Sequence, residues 1–270
     1  MMRFEGSAAC SRKSAVAPMI NKVGFFHCGN NNNATSAIKS LSKHLEAAHE
    51  HLNDCLIVLP EAFNFWPYTA QGSLDPSVKD CLKELSRRFN VAFVAGLIES
   101  GACGKLGHSC AYLIDGDLCD VLSHKTGMDG VRYEASPEIR DRTVSHRGIY
   151  VAALICMDAS NNPRTDWSIE RRNEEIKRFN ARRGKIVERT SGDRAVFCIP
   201  SRMGTIDSTE VAKDWSAQLP NSVVILANAP YGTNEQPRQK SVIRPEGLTE
   251  IFSRCSDGNA MSIVPWPVTP

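Results

Sequence analysis

A mixed α/β fold is predicted by three features of the 270-residue chain. Short apolar runs end abruptly in turn residues, as strands covered on both faces do. Early in the chain these runs alternate with segments whose apolar residues recur at three- and four-residue spacing, the pattern of helices lying on a sheet. Hairpin signals stand between them, above all Asp115-Gly116, so the sheets contain antiparallel as well as parallel neighbours. No Pro/Gly/Ser-rich linker divides the chain, which points to one domain over residues 21–270 behind a disordered tail at 1–20.

Residues 23–28 form the first predicted strand, and the asparagines at 30–33 the loop leaving it. A helix follows, capped by Thr35 or Ser36, with Ile38, Leu41, Leu45, Ala48 and Leu52 on its buried face and Lys39, Lys43, His44, Glu46, His49 and Glu50 outside. His44, His49 and His51 do not fall in an H-E-x-x-H pattern, so this side reads as a solvated face. Residues 55–60 are a second buried strand, and Glu61 stands directly after it. Such a carboxylate is exposed at the rim or held for a purpose, because burial without a partner is costly. The aromatic loop that follows offers Phe63, Trp66 and Tyr68 as walls of an apolar pocket, or as packing beneath the loop. Asp75-Pro76 starts the next helix, whose buried face is Val78, Cys81, Leu82, Leu85 and Phe89. Strands at 91–97, 109–114 and 118–122 come next, with Lys125 just past the last of them.

Residues 149–158 run from an apolar strand straight into Cys156, Met157 and Asp158, and residues 158–163 turn the chain away. Cys156 at a strand exit is poised toward a cleft; the alternative is one more buried thiol. The segment 165–189 is dense in Arg, Lys and Glu, and its thin apolar line of Ile169, Ile176 and Phe179 predicts an exposed helix along one edge. Later strands are expected at 195–199, 223–227, 248–254 and 259–264, with a helix at 209–219.

Composition excludes several classes. A net charge of +2 with both signs mixed gives no general attraction to nucleic acid or membrane. No apolar run approaches the roughly 20 residues of a membrane span. Ten cysteines without a C-x-x-C pair, set mainly in apolar runs (Cys28, Cys55, Cys110, Cys198), suit reduced thiols in the cytoplasm rather than a disulfide framework or a zinc site. Arg3, Arg12 and Lys13 precede no apolar h-region, so a secretory signal is not expected, and an organelle transit peptide is the weaker alternative.

Glu61, Lys125 and Cys156 share one position type, the C-terminal end of a predicted strand, where loops converge in layered α/β proteins. Their chemistry is complementary. A carboxylate in a dry pocket can take a thiol proton, and a fixed ammonium can stabilise an oxyanion.

Here the sequence resembles the nitrilase superfamily of carbon-nitrogen hydrolases over residues 22–264. Leu59-Pro60-Glu61-Ala62-Phe63 is similar to the segment bearing the family's catalytic glutamate, Ser123-His124-Lys125 to the lysine segment, and Ala153-Leu-Ile-Cys156-Met-Asp158 to the nucleophile segment. Gly192 to Ser201, Asn228-Ala-Pro and Val242-Ile-Arg-Pro-Glu-Gly247 resemble later landmarks. The resemblance implies a four-layer α-β-β-α sandwich with mixed sheets, commonly dimerised near the nucleophile. It also implies hydrolysis of a small linear amide or carbamoyl compound through a Cys156 thioester, without metal or cofactor. Glu61 would move the proton, and Lys125 with the Met157 backbone N–H would hold the oxyanion. Glu134 is the expected second glutamate, with Glu138 in reserve. A nitrile substrate, acyl transfer from the same thioester, and a catalytically silent binding member are the alternatives.

The sequence departs from the family's pattern at Met157, where tyrosine or tryptophan is frequent, and after Lys125, where Thr126-Gly-Met-Asp-Gly130 replaces the usual continuation. Asp158 favours amidase-like branches over nitrilases. The segment 165–189 is longer than the family requires and is expected beside a two-fold subunit contact.

Overall fold

Strand β1 (Lys22–His27) begins a computed structural model that describes residues 19–29, 33–66, 72–100, 106–125, 141–160, 168–190, 194–202, 207–229, 240–245 and 248–266. Helix α1 (Ala34–Ala47), β2 (Cys55–Val58), the short pair β3 (Phe65–Trp66) and β4 (Ser73–Leu74), α2 (Val78–Phe89) and β5 (Val91–Ser100) follow. Then come β6 (Leu106–Asp115), β7 (Leu118–His124), β8 (Val144–His146), β9 (Ile149–Ala153), α3 (Ile169–Thr190), β10 (Ala195–Ser201) and α4 (Ser208–Gln218). The last strands are β11 (Ser222–Asn228), β12 (Val242–Arg244), β13 (Phe252–Ser256) and β14 (Asn259–Pro265).

Two mixed sheets form the centre. One has seven strands in the order β13-β14-β1-β2-β5-β6-β7, the other five in the order β12-β11-β10-β9-β8. Strands joined through helices run parallel (β1 with β2, β2 with β5, β10 with β11), and hairpin neighbours run antiparallel (β5 with β6, β6 with β7, β13 with β14). Alternation along the strands builds the layers. Leu56, Val58, Ala92 and Val94 face the second sheet, while Cys55, Ile57, Val91 and Phe93 turn to Leu41, Leu45, Leu82 and Leu85 of α1 and α2. On the far side, Trp215 of α4 lies on Phe197 of β10 with ring centroids 4.1 Å apart and meets Phe179 of α3 at 5.9 Å. The result is the expected four-layer α-β-β-α sandwich. The predicted hairpin is present, with Gly116 supplying the positive φ of +59° that its turn requires.

Local differences have local causes. The cap of α1 is Asn33, whose side chain accepts from the Ser36 N–H at 2.8 Å while the Ser36 hydroxyl reaches back to the Asn33 N–H. This reciprocal capping box moves the helix start ahead of Thr35. Helix α2 begins at Val78 because Asp75 Oδ1 accepts from both the N–H and the hydroxyl of Ser77, forming a turn before the helix. His44 is buried rather than solvated: its ring meets Phe26 edge-on at 5.4 Å, and Nδ1 bonds the Ser40 carbonyl at 2.8 Å.

Helix α3 also departs from the sequence reading. Its buried line is Phe179, Arg182, Ile186 and Thr190, whereas Ile169 is 65% exposed. The face is core-like, and a charged residue in its middle hides it from a periodicity count. Phe179 is therefore engaged within the chain and is not available to a subunit contact.

Burial lowers the pKa of His44, with Arg254 acting the same way, and the Ser40 carbonyl and Asp257 oppose the shift. The unfolded chain binds this proton near pH 6.5 and the folded chain only below that, so stability is full above about pH 6.5 and declines as pH falls. His44→Leu should flatten the decline between pH 7.5 and 5.5 in urea titrations. Equal slopes in variant and parent would show that His44 contributes nothing to it.

Candidate active site

Glu61 follows β2 at the tight seam between the two sheets. Its N–H donates to the Ser201 carbonyl at 3.3 Å, and Ala62 adopts a positive φ of 53°, which turns the chain sharply after it. The next residues are tied down: Phe63 N–H bonds the Gly96 carbonyl at 2.9 Å, and Asn64 makes two bonds of 2.8 Å to the backbone of Ile98. A Cβ built at Gly96 would lie 2.6 Å from Glu61 Cα and 3.0 Å from Pro200 Cβ. Only glycine admits the glutamate segment this close to β5.

Lys125 arrives from the end of β7, its N–H bonded to the Ser109 carbonyl at 2.8 Å. A register shift between β6 and β7 falls just before this point, and bulges of this kind re-aim the side chains beyond them. Lys125 Nζ donates to Glu61 Oε1 at 2.8 Å, with both side chains 1% exposed, and the Ser109 hydroxyl donates to the same oxygen at 3.3 Å. Removing one member of such a buried pair costs about 3–5 kcal/mol, whereas the intact pair adds little net stability.

Cys156 opens a 3₁₀ turn, Cys156–Ala159, three residues past β9. Its φ of 49° lies in the left-handed region, uncommon for a residue with a Cβ and frequent where a strained turn presents a functional side chain. It is 2% exposed. Ala153 of β9 is opposite Cys198 of β10, and the Leu154 N–H still bonds the Cys198 carbonyl at 3.1 Å, so the chain is held along β10 until just before the cysteine turn. Ser201, the last residue of β10, carries the carbonyl that receives the Glu61 N–H, so the glutamate turn is tied to the same strand that the cysteine turn packs against.

Two arginines complete the arrangement. Arg182 of α3 reaches Asp158 Oδ2 at 2.6 Å, Asp141 at 2.7 and 2.8 Å, and the His124 carbonyl at 3.3 Å. One guanidinium thus joins the turn after Cys156 to the residue before Lys125. Burial lowers its pKa but the two aspartates outweigh this and raise it, so the cation persists. Arg202, 5% exposed, donates from Nε to the Glu61 carbonyl at 3.1 Å and lies 4.0 Å over the Trp66 ring. Trp215 Nε1 donates to the Ala159 carbonyl at 2.7 Å, anchoring the end of the cysteine turn.

Of the residues singled out from sequence, Glu61 and Lys125 are in direct contact and Cys156 lies at the adjoining strand exit. Met157 is in the cysteine turn, half-buried against the central core. Phe63 is fully buried and packs edge-on against Phe26 at 6.2 Å, and Trp66 lies beneath Arg202. Tyr68, Glu134 and Glu138 fall outside the described residues. Sequence reading missed Gly96, Ser109, Arg182, Arg202 and Trp215. A signal existed only for Arg182, as the residue between Phe179 and Ile186 on one helical face.

A family model for carbon-nitrogen hydrolases matches residues 23–176, more than half of the chain. The chain belongs to the carbon-nitrogen hydrolase family, and this membership supports an enzyme of C–N bond hydrolysis. Solved structures of an amidase from Nesterenkonia sp. AN1, of the nitrilase superfamily, share the fold. A mutant of that amidase in complex with butyramide is 17% identical, with 94% of each chain covered and a TM-score of 0.61. Another mutant shows covalent addition of the acetamide moiety of fluoroacetamide at the active site cysteine, with 18% identity, 94% of each chain covered and a TM-score of 0.58. No curated protein matches the chain. No helix among the described residues is long and apolar enough to cross a membrane.

Gly96→Ala should force the glutamate segment and Pro200 apart and destabilise the protein by about 1–3 kcal/mol, as overpacking does. Thermal unfolding measures this. An unchanged midpoint would mean that the seam has slack and that Gly96 does not position Glu61.

Proposed function

We propose that the protein hydrolyses a small linear amide or carbamoyl compound with Cys156 as nucleophile. The observation that carries this reading is the buried Glu61–Lys125 pair of 2.8 Å, and a cysteine turn with positive φ that packs against β10, the strand whose end is tied to Glu61, supports it. Such a pair is a poor stabiliser, and chemistry is the better reason for keeping both charges out of water.

Glu61 takes the proton from the Cys156 thiol, and the thiolate attacks the substrate carbonyl carbon. The ammonium of Lys125 and the N–H of Met157 hold the oxyanion. As the C–N bond breaks, Glu61 returns the proton to the leaving nitrogen, which departs as ammonia or an amine. Glu61 then takes a proton from water, the hydroxide attacks the thioester, and the acid leaves as the thiol is restored. Lys125 and Ser109, both bonded to Oε1, fix the rotamer that this shuttle needs. Glu134, with Glu138 in reserve, remains our choice for a second glutamate. A homo-oligomer in the cytoplasm is part of the same proposal, as is a single hydrolase domain over residues 21–270. The Nesterenkonia amidase, whose mutant structures hold butyramide or the acetamide moiety of fluoroacetamide, supports trying short aliphatic amides first.

Short amides, carbamoyl amino acids and nitriles, screened for ammonia release, should reveal a substrate among the first two classes. Cys156→Ala and Glu61→Gln should each cost at least about a thousandfold in kcat/KM with the fold retained by circular dichroism. Turnover in Cys156→Ala within a few fold of the parent would sink the assignment. Transfer to added hydroxylamine in place of hydrolysis would move the reaction to acyl transfer.

A further inference from the structure

On the opposite face of the strands that deliver Ser109 and Lys125 lies a second cluster of reactive side chains. Three neighbouring strands each contribute one: Glu99 from β5, Cys110 from β6 and His124 from β7. A carboxylate oxygen, the thiol sulfur and an imidazole nitrogen all lie within 4.8 Å of one another. Cys110 and His124 are register partners, which brings the sulfur and the ring to one side of the β6–β7 ladder. Cys110 is fully buried, whereas Glu99 and His124 are partly exposed.

We propose that Glu99, Cys110 and His124 form a divalent transition-metal site suited to zinc. Thiolate, imidazole and carboxylate are the three ligand types that Zn²⁺ combines, and three protein ligands leave a fourth position for water. Zinc bonds of about 2.0 to 2.3 Å place tetrahedral ligands roughly 3.3–3.7 Å apart, so adjustments of about 1 Å close the set around an ion.

The surroundings are those of a supported site. The Tyr112 hydroxyl, two residues along β6 and on the same face, bonds the Glu99 carboxylate and orients it, as outer-shell partners of metal ligands do. The His108 ring packs edge-on against His124 at 6.1 Å, which restrains that ring's plane.

The position also gives the metal a consequence. Ser109 and Lys125, immediate neighbours of Cys110 and His124, face Glu61 from the other side of the same strands. An ion clamped between β5, β6 and β7 stiffens the scaffold of that pair without touching it.

The test measures metal content of the full-length reduced protein after dialysis against Zn²⁺, and the absorption spectrum after Co²⁺ exchange. One equivalent should bind, with a thiolate-to-cobalt charge-transfer band, and Zn²⁺ should raise the thermal midpoint. Cys110→Ser should abolish the band, and His124→Asn should weaken binding at least about tenfold. His124→Asn also covers the case in which the buried Cys110→Ser change impairs folding. Cys156→Ala should retain the ion and the band, which separates this site from the proposed nucleophile and makes the outcome independent of the hydrolase reading. No stoichiometric metal, or metal and band unchanged in both Cys110→Ser and His124→Asn, overturns the proposal. So does loss of the band in Cys156→Ala.

Discussion

Everything near the site depends on one constraint, the placement of a Glu61–Lys125 ion pair where two sheets meet and water is excluded. A carboxylate and an ammonium, each 1% exposed, hold together only if backbone and side chains around them stay still. The surroundings supply that stillness. The Ser109 hydroxyl shares the acceptor oxygen, Arg202 and Ser201 grip the backbone of Glu61, and Gly96 lets the segment press against β5. Asn64 locks the outgoing loop to the same strand at both its N–H and its carbonyl.

The cysteine turn is held by a separate network with a shared member. Arg182 grips Asp158 two residues beyond Cys156 and the carbonyl of His124 one residue before Lys125. Long helices with charged faces usually pack through their apolar residues alone. Here the arginine in the middle of the buried stripe is the useful residue, with Asp141 and Asp158 satisfying its fork. The length of α3 therefore has a reason within the chain: its Phe179 and Ile186 dock on the core and carry Arg182 to the site. Trp215 adds the last restraint by donating to Ala159, so two outer helices hold the last two residues of one four-residue turn.

A reactive face and a quiet face occur on the same strands. Period-two alternation sends Ser109 and Lys125 inward to Glu61 and sends Cys110 and His124 outward to the helical side. Cys198 and Cys55 belong to no such cluster among the described residues. Burial alone pushes the Cys198 thiol far up, and burial takes Cys55 to about 12 with Lys22 opposing it. These are packing residues of the inert kind.

The sequence by itself determined the layers, because apolar runs and their alternation are local properties that burial must satisfy wherever the elements land. It also determined that Glu61, Lys125 and Cys156 stand at strand ends, since a polar residue after an apolar run can be seen without coordinates. Short-range competition was harder to see: Asn33 outdid Thr35 and Ser36 as a cap through a reciprocal bond, and His44 was drawn inward by Phe26. What only the tertiary structure decided were the contacts between distant segments. Gly96 is separated from Glu61 in sequence by helix α2 and a strand pair, yet its backbone packs against Glu61, and Arg182 meets Asp158, Asp141 and His124 through side-chain reach across three elements. No periodicity encodes such meetings. They follow from how two sheets stack and where a helix comes to rest, and those are set by the whole core at once.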